Sequence, residues 1–317
     1  MVERPDEQGL AVASTNRRLR EALQRRSRRG EQAIEGFVFL NGLIGVAVLL
    51  GIFLLLAREG APIFGYVDPW HFFTGDRWYP VSSPPTFGML PFFVATLWVT
   101  LGATVIAVPL GVAAAAYLAE VAPTSVRETV KPLVELLAGV PSVVIGFLGL
   151  MVLSPVVRTL FGLNTGLNGL TASVMLALMS LPVIVSVSED ALTAVPQDYR
   201  EASYALGCTQ WQTIVFVLIP AAFSGITAAV MLGIGRAVGE TMTALMIAGG
   251  SLAVPHFLTE PMRPMTATIA AEINNAVQGG TQYQALFAIG IVLFTFTFMV
   301  NLLADLVLEG QKRRFGQ

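Results

Sequence analysis

Residues 201–220 read "EASYALGCTQWQTIVFVLIP". Tyr199, Ala202 and Leu206 recur at near-helical spacing and make a small apolar face. Pro196, just upstream, fits the first turn of a helix. Gly207 supplies the left-handed conformation that commonly closes one. Thr209 with Gln212 matches the capping box, in which two side chains satisfy free N–H groups at a helix start. The stretch therefore predicts helix, glycine corner, helix. The second helix feeds straight into "IVFVLI" and an apolar run beyond Pro220. A polar elbow joined to such a run is either a solvated connector or a place where something bulky sits close to the small Ala202 and Ala205, with Glu201 offering a polar contact.

The rest of the chain says what kind of body the elbow belongs to. Of its 317 residues 54% are hydrophobic and 13% charged, against about 25% charged in ordinary soluble domains. The apolar residues come in long runs, which reads as an all-α integral membrane protein. Six transmembrane helices are predicted, at about 36–57, 88–118, 134–157, 168–188, 214–249 and 284–308. The second and fifth are longer than a bilayer requires and contain Pro109 and Pro220, so a kink, tilt or break is expected in each. This divides the chain into a basic segment 1–35, a transmembrane domain 36–310 with the elbow in the loop 189–213, and a short tail 311–317.

Charge is sorted by position. With the N-terminus in the cytoplasm, fourteen Lys and Arg fall in inner segments and four in outer loops, Arg58, Arg77, Arg158 and Arg263. The positive-inside rule then puts both termini in the cytoplasm. The stretch "NRRLREALQRRSRRG" reads as a topogenic anchor, with a lipid or nucleic-acid contact as the alternative. The first apolar run begins after residue 35, which suits a signal anchor rather than a cleaved leader. The outer loop Arg58–Phe87 is proline-rich, and its Trp70, Trp78 and Tyr79 suit a membrane interface. The loop "RTLFGLNTGLNG" reads as a turn. Glu272, in "MTATIAAEINNA", falls in the last outer loop, on a solvated face or at an outer contact.

Several chemistries are excluded. The single cysteine, Cys208, forms no internal disulfide. His71 and His256 fall in separate loops, so a His/Cys metal site is not expected. Neither Lys131 nor Lys312 follows a phosphate-loop glycine pattern. No nucleophile arrangement or cofactor motif is present.

One feature resists the apolar background. "GIGRAVGETM", residues 233–242, places Arg236 and Glu240 inside the fifth predicted span. A charge at a bilayer centre costs about 2.5–3.5 kcal/mol on insertion scales. At i and i+4 on a continuous helix the two share a face and can pair. The pair is either structural, orienting the span, or functional. The planar fork of arginine suits an oxyanion, Thr241 adds a hydroxyl, and Gly233, Gly235 and Gly239 leave room for close approach.

Together these motifs carry a resemblance. "EASYALG", followed twelve residues after Gly207 by Ile219 and Pro220, resembles the EAA loop of ABC importer permeases, with Ser203 where the second alanine is usual. "LPVIVSVSEDALTAVPQDYREASYALG", "GIGRAVGETM", "MTATIAAE" and "QALFAIGIVLF" look like phosphate-importer permeases of the PstC type, over roughly residues 85–310. The resemblance implies a MetI-like type I ABC importer permease fold, without catalytic chemistry or cofactor of its own, in a prokaryotic inner membrane. It implies that Glu201, Ala202, Gly207 and Pro220 belong to an elbow docking on an ATPase. On the physics of a charge kept in an apolar span, Arg236, Glu240 and Thr241 are expected to line the substrate path of such a permease, with Glu240 holding Arg236 when phosphate is absent. Implied partners are a PstA-type permease, two PstB-type ATPases and a PstS-type binding protein. Two other functions stay open: an importer of another oxyanion, or an ion-coupled secondary carrier using the charged pair as a relay. Such carriers often show internal repeats, and no convincing one is present here.

Overall fold

A computed structural model describes the backbone of residues 7–315 and the side chains of residues 34–302 and 306. The side chains of the basic segment before residue 34, and those of the tail, lie outside the described residues. The chain divides into two compact units, Met1–Leu55 and Leu56–Gln317. The first consists of most of one long helix, α1 (Glu7–Gly60), which is apolar from Ile34 onward.

The second unit is an α-helical bundle. It opens with a 3-10 turn (Ala61–Gly65), a short helix α2 (Pro69–Thr74) and a two-stranded hairpin, β1 (Trp78–Tyr79) with β2 (Thr86–Phe87). There follow α3 (Leu90–Glu120), α4 (Thr124–Ala138), α5 (Ser142–Leu148), α6 (Ser154–Leu160) and α7 (Gly169–Thr193). A π-helical turn, Gly149–Leu153, joins α5 to α6. Next come α8 (Gln197–Ala205), α9 (Gln210–Thr213), α10 (Ile219–Ala221), α11 (Phe223–Gly239), α12 (Met242–Ile247), α13 (Met265–Glu272) and α14 (Thr281–Phe315). Among the described residues five helices are long and apolar enough to cross a membrane, and a bent pair makes a sixth span if counted as one.

The centre of the bundle is the parallel pair α3 and α7. On α3 every fourth residue from Ala95 is small or short and buried: Ala95, Val99, Ala103, Ala107, Gly111 and Ala115. Small residues in a stripe let backbones approach where hydrocarbon outside supplies no hydrophobic drive. A Cβ on Gly102 would lie 2.4 Å from Ser173 Oγ, and one on Gly111 2.6 Å from Ile184 Cγ2. Ser173 also donates to the Val99 carbonyl at 3.2 Å, fixing the register.

The two proline-bearing spans behave differently. α3 runs unbroken through Pro109. Around Pro220 the segments Gln210–Ala221 and Phe223–Gly239 meet at 75°, preceded by a π-helical turn at Ile214–Leu218. The third apolar stretch also differs from the run expected at 134–157. α4 stops at Ala138, and Gly139 and Pro141 separate it from the apolar stretch Ser142–Leu160, because Pro141 supplies no amide hydrogen and disfavours helix just before it.

Gly102→Leu forces a side chain into the α3–α7 contact. Overpacking of this kind costs about 1–3 kcal/mol, and thermal melting of the purified protein should register it as a lower midpoint.

Candidate functional site

The elbow is formed by short-range bonds. α8 closes on Leu206, and Gly207 adopts φ +82°. Gly207 N–H donates to the Tyr204 carbonyl at 2.9 Å and Cys208 N–H to the Ser203 carbonyl at 3.2 Å, the paired bonds of a Schellman closure. α9 then starts with the full capping box: Gln212 N–H to Thr209 Oγ1 at 3.3 Å and Thr209 N–H to Gln212 Oε1 at 2.8 Å. Inside the corner, Ser203 and Thr213 share a buried hydroxyl hydrogen bond of 2.9 Å. This gives Ser203, at the position where alanine is usual, a partner. Glu201, Ala202, Gly207 and Pro220 are all exposed, and Leu206 (85%) and Trp211 (72%) stand out beside them.

Two ion-pair clamps fasten this end of the bundle. Arg200 of α8 reaches Glu120 at the end of α3 through Nε, at 3.1 and 3.2 Å, and through Nη2. The same guanidinium donates to the Val195 carbonyl at 2.7 Å and the Leu192 carbonyl at 3.0 Å, capping the end of α7. Its hydrogen bond with Glu120 raises its pKa further. The second clamp centres on Glu189 of α7, whose side chain is 1% exposed and accepts from Arg127 and Lys131 of α4. Thr193 adds a hydroxyl contact at 3.3 Å, and Lys131 also reaches Asp190 at 2.7 Å. The hydrogen bonds with Asp190 and then Glu189 raise the Lys131 pKa above 10.5. The stabilisation from Lys131 is thus complete below that value and is lost only as pH climbs through the raised pKa.

Arg236 sits elsewhere, at mid-height. α11 runs antiparallel to α7, with Gly225 against Ala191 and Gly233 against Ser180 and Ile184. Ser180, halfway along α7, donates to the Gly233 carbonyl at 3.1 Å, and Arg236 lies one turn further. Arg236 Nη2 donates to the Ala138 carbonyl at the end of α4, a long contact of 3.4 Å, while its buried Nε has no partner. The carbonyl end of a helix carries partial negative charge, which suits a cation.

The expected Arg236–Glu240 pairing is corrected here. α11 ends at Gly239, and Glu240 is extended with φ −70° and ψ 124°. The two residues therefore do not share an unbroken helical face, and among the described residues they form no ion pair. Glu240 Oε1 instead accepts from Thr243 N–H at 3.4 Å and so caps the start of α12. Its carbonyl, freed by the break, accepts from Thr266 Oγ1 at 2.9 Å. Thr241 Oγ1 turns back to the Gly239 carbonyl at 3.3 Å. Across from this break lies the α4–α5 break, and the buried Thr243 bridges them by donating to the Ser142 carbonyl at 3.0 Å. Two interrupted helices thus face each other, and the guanidinium between them holds, among the described residues, one weak bond. Such a group retains donors for an oxyanion.

The end of the bundle opposite the elbow holds two further corrections. Trp78, expected at a membrane interface with Trp70 and Tyr79, is 1% exposed and packs edge-on against Phe87 and Phe92 at 5.5 and 5.2 Å. Glu272 is not on a solvated face. It accepts from Trp78 Nε1 at 2.9 Å, Arg263 Nη1 at 2.8 Å and Gln282 Nε2 at 3.1 Å, tying the hairpin to α13 and α14. A tertiary aromatic core formed here, which local composition does not reveal.

Glu120→Gln leaves Arg200 largely buried with its counter-charge gone. Removing one member of a buried pair costs about 3 kcal/mol. The variant should melt earlier and be cut faster by protease within 196–210.

The family model for "Binding-protein-dependent transport system inner membrane component" matches residues 107–313. A protein named probable ABC transporter permease protein YqgH, from Bacillus subtilis, is 38% identical over 82% of this chain and 85% of its own. Proteins named phosphate transport system permease protein PstC are 35% identical in Mesorhizobium japonicum, over 84% of this chain and 88% of theirs, and 31% in Pasteurella multocida, over 84% and 90%. Among solved structures, a bacterial ABC transporter involved in import of the acidic polysaccharide alginate matches at 16% identity with a TM-score of 0.59, over 89% of this chain and 98% of that one. The methionine ABC transporter MetNI matches at 20% and 0.54, over 70% and 95%. These two likenesses show the fold alone, a MetI-like permease bundle. The chain, a multi-pass membrane protein, belongs to the family of binding-protein-dependent transport system inner membrane components.

Proposed function

We propose that the chain is the PstC-type permease of an ATP-driven importer of inorganic phosphate in a prokaryotic inner membrane. Like its family, it is a non-catalytic subunit. The curated relatives whose names specify phosphate support the substrate. The observation that carries the mechanism is Arg236: a mid-bundle guanidinium with an unpartnered buried Nε and a single long bond to the Ala138 carbonyl. Phosphate near neutral pH carries one to two negative charges, and an unlined apolar path excludes it. Arg236 lowers that barrier, and the weak carbonyl contact is easily exchanged for a phosphate oxygen, so the site binds without trapping. The resting partner of Arg236 is then the Ala138 carbonyl and not Glu240. Glu240 and Thr241 shape the break beside the path.

In the same reading the elbow faces the cytoplasm together with both termini, and the transmembrane domain spans 36–310. Glu201, Ala202, Gly207 and Pro220, flanked by Leu206 and Trp211, meet a PstB-type ATPase. A PstA-type permease completes the path, and a PstS-type protein delivers phosphate outside. ATP binding draws the ATPases together, the elbow moves, and the spans alternate their opening.

Arg236→Gln removes the charge and keeps a donor. Loss of a charged hydrogen bond, about 1.5–3 kcal/mol, should lower phosphate uptake by roughly tenfold or more at normal membrane expression. Uptake at the unsubstituted rate would remove the anion role from Arg236.

A further inference from the structure

α4 is 15 residues long, and none of them is buried. Val126, Val130 and Val134 are half-buried along it, and polar contacts fasten it at two places. Arg127 and Lys131 grip the buried Glu189 near the end of α7. Seven residues after Lys131, roughly 10 Å along a helix, the Ala138 carbonyl meets Arg236. Glu189 itself lies two turns before Pro196, the cap of α8. The Arg200 guanidinium of α8 holds the Leu192 and Val195 carbonyls in between. A continuous chain of contacts therefore runs from the elbow through the end of α7 and along α4 to the guanidinium.

We propose that α4 is a transmission rod carrying displacement of the elbow to Arg236, with the Arg127–Lys131–Glu189 cluster as its driven end and the Ala138 carbonyl as its working end. This rests on Arg236 being the oxyanion contact. The two ends differ in strength. A buried carboxylate cannot give up two cations without a large desolvation cost, so α4 follows α7 when that end moves. The contact at the other end is already at 3.4 Å, near the limit of a hydrogen bond, and a shift of about 1 Å breaks or tightens it. Sparse apolar packing marks elements that move at low cost. Bringing the carbonyl up occupies Nη2; drawing it back frees Nη2 for phosphate. The rod thereby sets affinity at mid-bundle from the elbow end.

The test uses the assembled transporter with its binding protein in proteoliposomes, in a Cys208→Ser background. Spin labels go on Leu136 of α4 and Leu232 of α11, both exposed. Their separation is measured without nucleotide and with ATP held by a hydrolysis-deficient ATPase. Expected is a shift between the two states that Glu189→Gln abolishes. In the hydrolysing complex, Glu189→Gln should lower phosphate moved per ATP about tenfold with ATPase activity kept within about twofold. Lys131→Gln should do the same more weakly, and Lys131→Arg should restore coupling. If Glu189→Gln does not assemble, the two Lys131 variants decide the matter. An unchanged label separation in the unsubstituted complex overturns the rod. So does unaltered stoichiometry in the variants, or a parallel fall of uptake and ATPase activity, which marks scaffolding alone. Normal uptake by Arg236→Gln with the label shift intact sinks the anion role and leaves the movement; impaired uptake by Arg236→Gln without a label shift sinks the rod and leaves the anion role.

Discussion

A guanidinium in the middle of an apolar bundle has to be offered oxygen, and the oxygen here comes from backbone. An unbroken helix consumes its own carbonyls. Only where a helix stops are they released, and this bundle stops two helices at one place: α4 at Ala138 and α11 at Gly239. Every group so released then needs an account. Thr266 takes the Glu240 carbonyl, Thr241 takes that of Gly239, and the Glu240 carboxylate takes the Thr243 amide in the first turn of α12. Arg236 by contrast keeps one long bond and a buried Nε–H without a partner.

Holding two helix breaks in register takes a stiff reference, and the α3–α7 pair supplies it. Its interface is so close that a single Cβ at Gly102 or Gly111 has no room. At one end the Trp78–Glu272–Arg263 network locks the hairpin, α13 and α14 together. At the other end the fastening is ionic, through Glu120–Arg200 and through Glu189 with its two cations. Apolar packing resists displacement everywhere along its length, whereas an ionic clamp grips at a point and lets the rest of a helix swing. The bundle is stiff where it must hold position and pinned at points where it joins the elbow.

How much of this was legible in the sequence depended on the range of the forces. The elbow was, because Gly207, Thr209 and Gln212 lie within six consecutive residues and act through short-range bonds. The family was, because its motifs lie in the same stretch and around Arg236. The pairing of Arg236 with Glu240 was misread, since i and i+4 meet only on a continuous helix, and Gly239 with the capping role of Glu240 ends it. The start of the third apolar stretch was placed too early for a related reason: "AGVP" carries Gly139 and Pro141, a break signal inside an apolar run. Trp78 and Glu272 were misplaced because burial there is made by residues almost two hundred positions apart. Glu189 went unweighed, although Arg127 and Lys131 at i and i+4 upstream, and two adjacent acids closing an apolar helix, were the available hint.

The elbow closes its own hydrogen bonds. The Gly207 closure caps one helix and the Thr209–Gln212 box caps the next. A surface of that kind arrives at an encounter already in shape, so association loses little to ordering the chain. In the docking role proposed for it, such an elbow can also let go and re-engage without unravelling.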